Sequence, residues 1–409
     1  MKNTFLKIAI LSFWFLALTG CSSDKESDNE IIVYPPMQDD PLTTQNASNY
    51  MADANASKET IALFYNLKRL AKTKVAIGQQ DAFNSFYQDT GGDSDIKKNT
   101  GYDPALLGSD FMFITDKSNN NQSDNWFYQQ EQKIISDTKA AYAKGMINTF
   151  SWHLREPYNE DTFYAGEMTT EQKNKAFKSI LPGGANHEWY RKKLDKLASV
   201  FLNLKGSKGE LIPVIFRPFH EFDGSWFWWG ANFCTPEEYK TNYKFTVEYL
   251  RDSKGVHNLL YAFSPDNSYT TPEGYLSRYP GDAYVDVLGM DNYGDFNNQG
   301  ATGAAKANTK LKIISDLAKT KVKITALTET GYRVTSSNAP ITNWFSSYLY
   351  DALTSNSIEV SYMMFWNNDK NGYYVPNSSV SNADDFKTFV SKSKSVLTNS
   401  LPKMYELPK

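Results

Sequence analysis

Two glutamates carry the chemistry this sequence can do. Glu221 lies in the stretch 212–230, where an apolar run, Ile212-Pro213-Val214-Ile215-Phe216, changes abruptly into Arg217, Pro218, His220 and Glu221. An aromatic cluster follows, Trp226-Phe227-Trp228-Trp229, closed by Gly230. Glu329 stands in Thr328-Glu329-Thr330-Gly331, just past a second apolar run at 322–327. Short runs of β-formers like these suit strands buried on both faces. A strand ending in Arg, His and Glu sets charge at the rim of a core. Paired carboxylates with no Cys cluster, no HExxH pair and no phosphate loop suit glycoside hydrolysis, in which one protonates the leaving oxygen and the other attacks the anomeric carbon. The two need different proton affinities, and Arg217 and His220 are placed to separate them. For the first stretch alone, a structural Arg217–Glu221 ion pair is the competing reading.

Elements that could position the two recur along the chain. Apolar runs stand at 75–78, 105–108, 145–150, 212–216, 259–263, 285–290, 322–327 and 360–365. Helical spacing is present over 58–73, 125–144, 187–205, 306–319, 341–353 and 384–397, and Thr235-Pro236-Glu237-Glu238 is a capping-box helix start. Eight strands alternating with helices predict an α/β fold, a single (β/α)8 TIM barrel with its site at the C-terminal strand ends. A doubly wound sheet would usually show a Gly-rich turn after an early strand, and none is visible. Past the eight runs stand Asp81, Asp110, His153, Glu221, Asp266, Asp291 with Tyr293, Glu329 and Trp366. Asp110 and Asp266 read as structural, since Asp is a common helix cap. Trp228 and Trp229 read as packing behind the site.

Composition bounds the partners. Hydrophobic residues at 41% and charged residues at 22% describe a soluble globular chain, and a net charge of −3 gives no reason to expect nucleic acid. An aromatic content of 15% suits a protein that stacks rings on sugar faces. Residues 1–21 read as a secretory signal ending in Leu18-Thr19-Gly20-Cys21, which resembles a bacterial lipobox with Cys21 as the lipidated residue. The acidic run after it resembles the surface-export signal of Bacteroidetes lipoproteins. This predicts an outer-membrane lipoprotein exposed at the cell surface, a periplasm-facing one being the alternative. Residues 22–55 are expected to form a flexible acidic tether and 56–409 the catalytic domain. Cys234 is the only other cysteine, so no intramolecular disulfide is expected. No cofactor or metal is implied, and a complete barrel needs no partner subunit, so a monomer is expected.

The stretch from Arg217 to Gly230 resembles the acid/base signature of glycoside hydrolase family 26, the β-mannanases, and Thr328–Gly331 resembles its nucleophile motif. Ser151-Trp152-His153, Phe263-Ser264-Pro265-Asp266, Asp286 through Tyr293 and Phe365-Trp366 match in order and spacing. The resemblance covers about 78–366. It implies a retaining hydrolase of β-1,4-mannan or galactomannan, with Glu221 as acid/base and Glu329 as nucleophile. It further implies that Tyr293 keeps the nucleophile ionised, that His153 and His220 contact the sugar undergoing substitution, and that Trp226 and Trp366 wall that subsite. Arg217 and Asp291 join the substrate-binding set. Rival readings are an exo-acting mannobiohydrolase, a family-26 β-1,3-xylanase or β-glucanase, and a non-catalytic surface glycan-binding lipoprotein.

Overall fold

The structure, a computed structural model, describes residues 41–84, 86–89 and 91–408. The expected signal segment at 1–21, lipidation at Cys21 and the first part of the tether lie outside the described residues. Eight parallel strands, β1 (Val75–Gln80), β2 (Leu106–Asp110), β3 (Ile147–Ser151), β4 (Val214–Arg217), β5 (Leu259–Phe263), β6 (Val287–Asn292), β7 (Ile324–Thr330) and β8 (Tyr362–Phe365), pair in sequence order. The β1–β8 pairing closes them into a barrel. Around it lie α1 (Lys58–Leu70), α2 (Asp95–Thr100), α3 (Trp126–Ala143), α4 (Thr170–Ile180), α5 (His187–Asn203), α6 (Pro236–Glu248), α7 (Pro272–Leu276), α8 (Gly300–Lys321), α9 (Tyr350–Thr354) and α10 (Ala383–Ser391). This is the expected (β/α)8 architecture.

Period-2 alternation explains the interior. Ala76, Leu106, Ile147, Ile215, Leu260, Val287, Ile324 and Tyr362 join one buried cluster, while Ile77, Val214, Phe216, Leu259, Phe263, Leu288 and Met363 join the cluster that the helices cover. Counting by twos along the first set reaches Arg217, Ser264, Asp291 and Thr328. Polar groups at the mouth therefore share a parity with the barrel interior. Glu329 does not, and a β-bulge admits it. Met290 pairs with Leu327 but Asp291 pairs with Glu329, so Thr328 is an extra residue on β7. The bulge lets consecutive side chains, Thr328 and Glu329, both reach the Arg217–Asp291 pair.

Several elements differ from the sequence reading, and the helix expected over 341–353 is a π-helix at Trp344–Leu349 that runs into the short α9. The expected helix over 384–397 ends at Ser391, and Ser395–Val396 forms a ninth strand, β9, on β1. β8 meets β1 only from Ala76 onward, so the buried Val75 N–H needs another acceptor and takes Lys394 O at 2.7 Å. α4 lies ahead of α5, started by a Thr169–Gln172 capping box that the weak apolar pattern of its body concealed. Residues 41–55, expected as part of the tether, pack on the barrel floor. Leu42, Ala47, Met51 and Ala52 are buried there, and Asp286, at the floor end of β6, accepts from the Ala52 and Tyr261 N–H groups at 2.7 and 2.8 Å. The folded domain therefore includes these residues.

Candidate active site

The turn that carries Glu221 is strained and multiply tied. Phe219 and Glu221 both adopt left-handed backbone with φ 52°, which costs an ordinary residue roughly 1–3 kcal/mol. Glu221 N–H donates to Ser264 O at 2.8 Å, Tyr239 OH to Phe219 O at 3.2 Å, and Trp229 Nε1 to His220 O at 2.7 Å. These bonds, with Phe219 and Trp229 buried, hold the turn. Trp226 donates Nε1–H to Glu221 Oε2 at 2.6 Å. It lies so close over Gly224 that a Cβ there would sit 2.3 Å from the indole ring, so the Gly224–Trp226 spacing is required for this bond. Trp228 and Trp229 are fully buried, as expected of packing residues.

Glu329 has a different environment. Arg217 reaches Asp291 with Nη1 at 3.0 and 2.9 Å and Glu329 Oε1 with Nη2. Tyr293 OH donates to Glu329 Oε2 at 3.1 Å, and His220 Nε2 stands 4.0 Å from Oε1. Asp291 also accepts from Ser264 Oγ at 2.9 Å and Thr328 Oγ1 at 2.6 Å. Arg217 thus pairs with Asp291 and Glu329, and the Arg217–Glu221 pair considered from sequence does not form. Arg217 and Asp291, expected among the sugar-binding residues, are buried and bonded to one another, and Arg217 also pairs with Glu329. Asp291, Glu329 and His220 bring potential ligand atoms within 4.8 Å of one another, but the guanidinium already supplies positive charge between the two carboxylates.

Electrostatics separates the two glutamates. Burial, then the charges of Asp291, Glu329 and Asp266, pushes the Glu221 carboxyl well above the usual carboxylate range. Glu329 accepts from a guanidinium on one oxygen and a phenol on the other. Burial, and then the charge of Glu329, pushes the Tyr293 phenol up, so it remains a donor. Burial, His153 and Arg217 all push the His220 imidazole well down, which leaves it neutral.

His153 lies on the opposite side of His220, ring centroids 4.6 Å apart, and edges against Trp366 at 5.9 Å. Its Nδ1 stands 2.6 Å from Asp110, which also accepts from Ser151 Oγ at 2.7 Å and Met112 N–H at 2.7 Å. Burial alone would lower the His153 imidazole, but the Asp110 charge and hydrogen bond outweigh it and the net shift is upward. Asp110, which reads as structural in the sequence, therefore orients His153 and raises its imidazole. Its place at the β2 end was the available signal. Tyr164 was missed altogether: it pairs in an antiparallel bridge with Phe227 and stacks on that ring at 5.7 Å. Gly331, φ 143°, lies where a Cβ would meet the Tyr374 ring at 2.5 Å, so Tyr374 can close against the nucleophile strand only beside glycine.

A closed barrel with a carboxyl raised by burial after β4 and one held by a guanidinium and a phenol after β7 defines the class of glycoside-cleaving barrels. Comparisons narrow it. The profile of Glycosyl hydrolase family 26 matches residues 52–386, and this chain belongs to that family. A mannan endo-1,4-β-mannosidase of Bifidobacterium adolescentis is 36% identical over 372 residues, covering 85% of this chain and 35% of that one. This chain thus spans about a third of that relative's length. The GH26C structure from a Muricauda species is 54% identical with a TM-score of 0.89, covering 90% of this chain and 99% of that one. A modular endo-β-1,4-mannanase from Cellulomonas fimi is 32% identical with a TM-score of 0.78, covering 87% and 79%.

Proposed function

We propose that this protein is a retaining endo-β-mannanase that cleaves internal β-1,4-mannosidic bonds of mannan and galactomannan. The observation that carries the reading is the unlike setting of the two glutamates. Glu221 is held protonated by burial and neighbouring carboxylates, and Glu329 faces a guanidinium and a phenol. In the first step Glu329 attacks the anomeric carbon as Glu221 gives its proton to the departing glycosidic oxygen, forming a glycosyl ester on Glu329. In the second, Glu221 takes a proton from water, which attacks the same carbon and frees Glu329. Two inversions return the β configuration. His153, His220, Trp226 and Trp366 contact the sugar undergoing substitution, and Arg217 and Asp291 act through Glu329. Mannan as substrate is supported by family membership and by the names of the Bifidobacterium and Cellulomonas relatives.

The test is hydrolysis of linear mannan, galactomannan, β-1,3-xylan and mixed-linkage β-glucan by the purified chain, beside Glu329→Ala. The expected result is a mixture of manno-oligosaccharides from the first minutes, absent in the variant, with β-anomeric products by NMR. Mannobiose alone would make the enzyme exo-acting. Cleavage of xylan or glucan without mannan would move the specificity, and binding without cleavage would leave a glycan-binding protein.

Location follows from Cys21. The protein is a monomeric lipoprotein carried on the outer face of the outer membrane, its barrel held by the acidic segment that follows the lipidated cysteine. Cys21→Ser should release it from the membrane fraction, and protease added to intact cells should remove the wild-type domain. Protection from protease would place it on the periplasmic side.

A further inference from the structure

Among the described residues five large hydrophobic side chains are exposed: Tyr102, Trp126, Tyr158, Tyr164 and Trp226. Tyr102 precedes β2, at the floor. The other four lie on consecutive loops of the mouth, Trp126 at the end of the loop after β2, Tyr158 and Tyr164 after β3, and Trp226 after β4. Exposed aromatics scattered singly mean little, but four on one rim of a reaction cleft mark a binding surface.

These loops are braced into one wall. Arg155 pairs with Asp116 at 2.8 Å, and Lys117 Nζ reaches both Asp161 and Asn159 O at 2.5 Å, joining the loops after β2 and β3. The bridge between Tyr164 and Phe227, with Ala165 N–H donating to Trp226 O at 2.7 Å, joins the loops after β3 and β4. Within the third loop the buried Glu156 carboxylate accepts from the N–H groups of Tyr158, Asn159 and Asp161 at 2.7–3.2 Å. At the far end Trp126 is 51% exposed, yet its plane is fixed by edge-to-face contacts with Phe113 and Phe127, both at 5.0 Å. A fixed, half-exposed indole loses little freedom when a ligand covers it.

We infer that Trp126 is a distal platform for the β-mannan chain, outside the residues around Glu221 and Glu329, engaging polymer too long to be held by the cleft alone. The inference rests on the mannanase reading. The occupant is the substrate polymer because the platform is continuous, through the braced wall, with the loop that bears Trp226 and Glu221.

The full chain carrying Trp126→Ala, and separately Trp126→Phe, is assayed on linear mannan and on mannotetraose, with thermal unfolding as a fold check. For Trp126→Ala the expected result is a KM for mannan raised about tenfold, the factor that about 1.4 kcal/mol of lost contact produces. Its kcat/KM on mannotetraose and its unfolding temperature should not move, and Trp126→Phe should recover part of the mannan KM. No change on mannan, or equal losses on both substrates, would overturn the platform. So would a wild-type dimer in light scattering that Trp126→Ala converts to monomer, since the occupant would then be a second copy. Retardation of the Glu329→Ala chain in a mannan gel, weakened by Trp126→Ala, requires no turnover. It separates failure of the platform from failure of the catalytic reading.

Discussion

Replacing Arg217 with Met tests the electrostatic architecture directly. The guanidinium is buried between Asp291 and Glu329, its Nη1 reaching both oxygens of the first and its Nη2 the second. Its removal leaves two buried carboxylates facing each other without a counter-charge. Breaking a buried pair in this way costs about 3–5 kcal/mol. Burial already pushes the Asp291 carboxyl up to about 8, and losing the guanidinium that opposes this shift raises it further, so that it holds its proton in the folded state. A folded-state carboxyl raised above its unfolded value contributes stability that is complete at low pH and is lost as pH rises. The deficit of Arg217→Met against wild type should therefore be smallest at low pH and should widen as pH rises through about 8, where the wild-type Asp291 carboxyl ionises and the variant's does not. Denaturant unfolding at a series of pH values measures this. Activity should fall by at least about a hundredfold, because Glu329 loses the guanidinium that holds it and lost charge stabilisation of this kind is worth about 2.7 kcal/mol or more. A second substitution separates the two effects: Arg217→Met with Asp291→Asn removes the stranded charge and should recover stability without recovering activity. Wild-type stability across the pH range in Arg217→Met, or a double variant no more stable than the single, would refute the reasoning.

Other expectations follow from the same geometry. Glu221→Gln should cost about 10²–10⁴-fold on mannan and much less on an aryl mannobioside whose leaving group needs no proton. Its pH–rate profile should lose the alkaline limb, which in wild type reports the raised Glu221 carboxyl losing its proton. Asp110→Asn removes the charge that holds the His153 imidazole up, so the NMR titration of His153 should move to lower pH. KM should rise more than kcat falls; an unmoved midpoint would show that Asp110 does not set the charge of His153. Glu156→Gln should weaken the carboxylate that gathers three N–H groups, and faster hydrogen exchange at Tyr158, Asn159 and Asp161 is the readout.

Much of this molecule is legible in local sequence because local physics determines it. The eight strands are short apolar runs that must be buried on both faces, and the polar residue past each run falls at the mouth by chain direction alone. Helix α6 announces itself through Thr235, Pro236 and Glu238, whose cap geometry is realised as the motif implies. What stayed hidden depends on partners far away in the chain. Ser395 and Val396 look like the end of a helix until β1 leaves the Val75 N–H without an acceptor. Leu42, Met51 and Ala52 look like tether because their burial depends on the floor around Asp286. Tyr164 has no motif of its own, and its place is set by a bridge to Phe227.

The site divides in the same way. Residue types at the strand ends single out Glu221 and Glu329, because carboxylate chemistry needs such a pair, and the family resemblance adds His153, His220, Tyr293, Trp226 and Trp366. Sequence cannot assign Arg217 its partner, since Glu221, Asp291 and Glu329 are all acidic and all at strand ends. The tertiary structure decides it. Strand parity points Arg217 and Asp291 to one interior, and the bulge at Thr328 adds Glu329 to their company. Which carboxyl keeps its proton is likewise a property of the assembled barrel, because burial and through-space charge exist only once β4, β6 and β7 stand side by side.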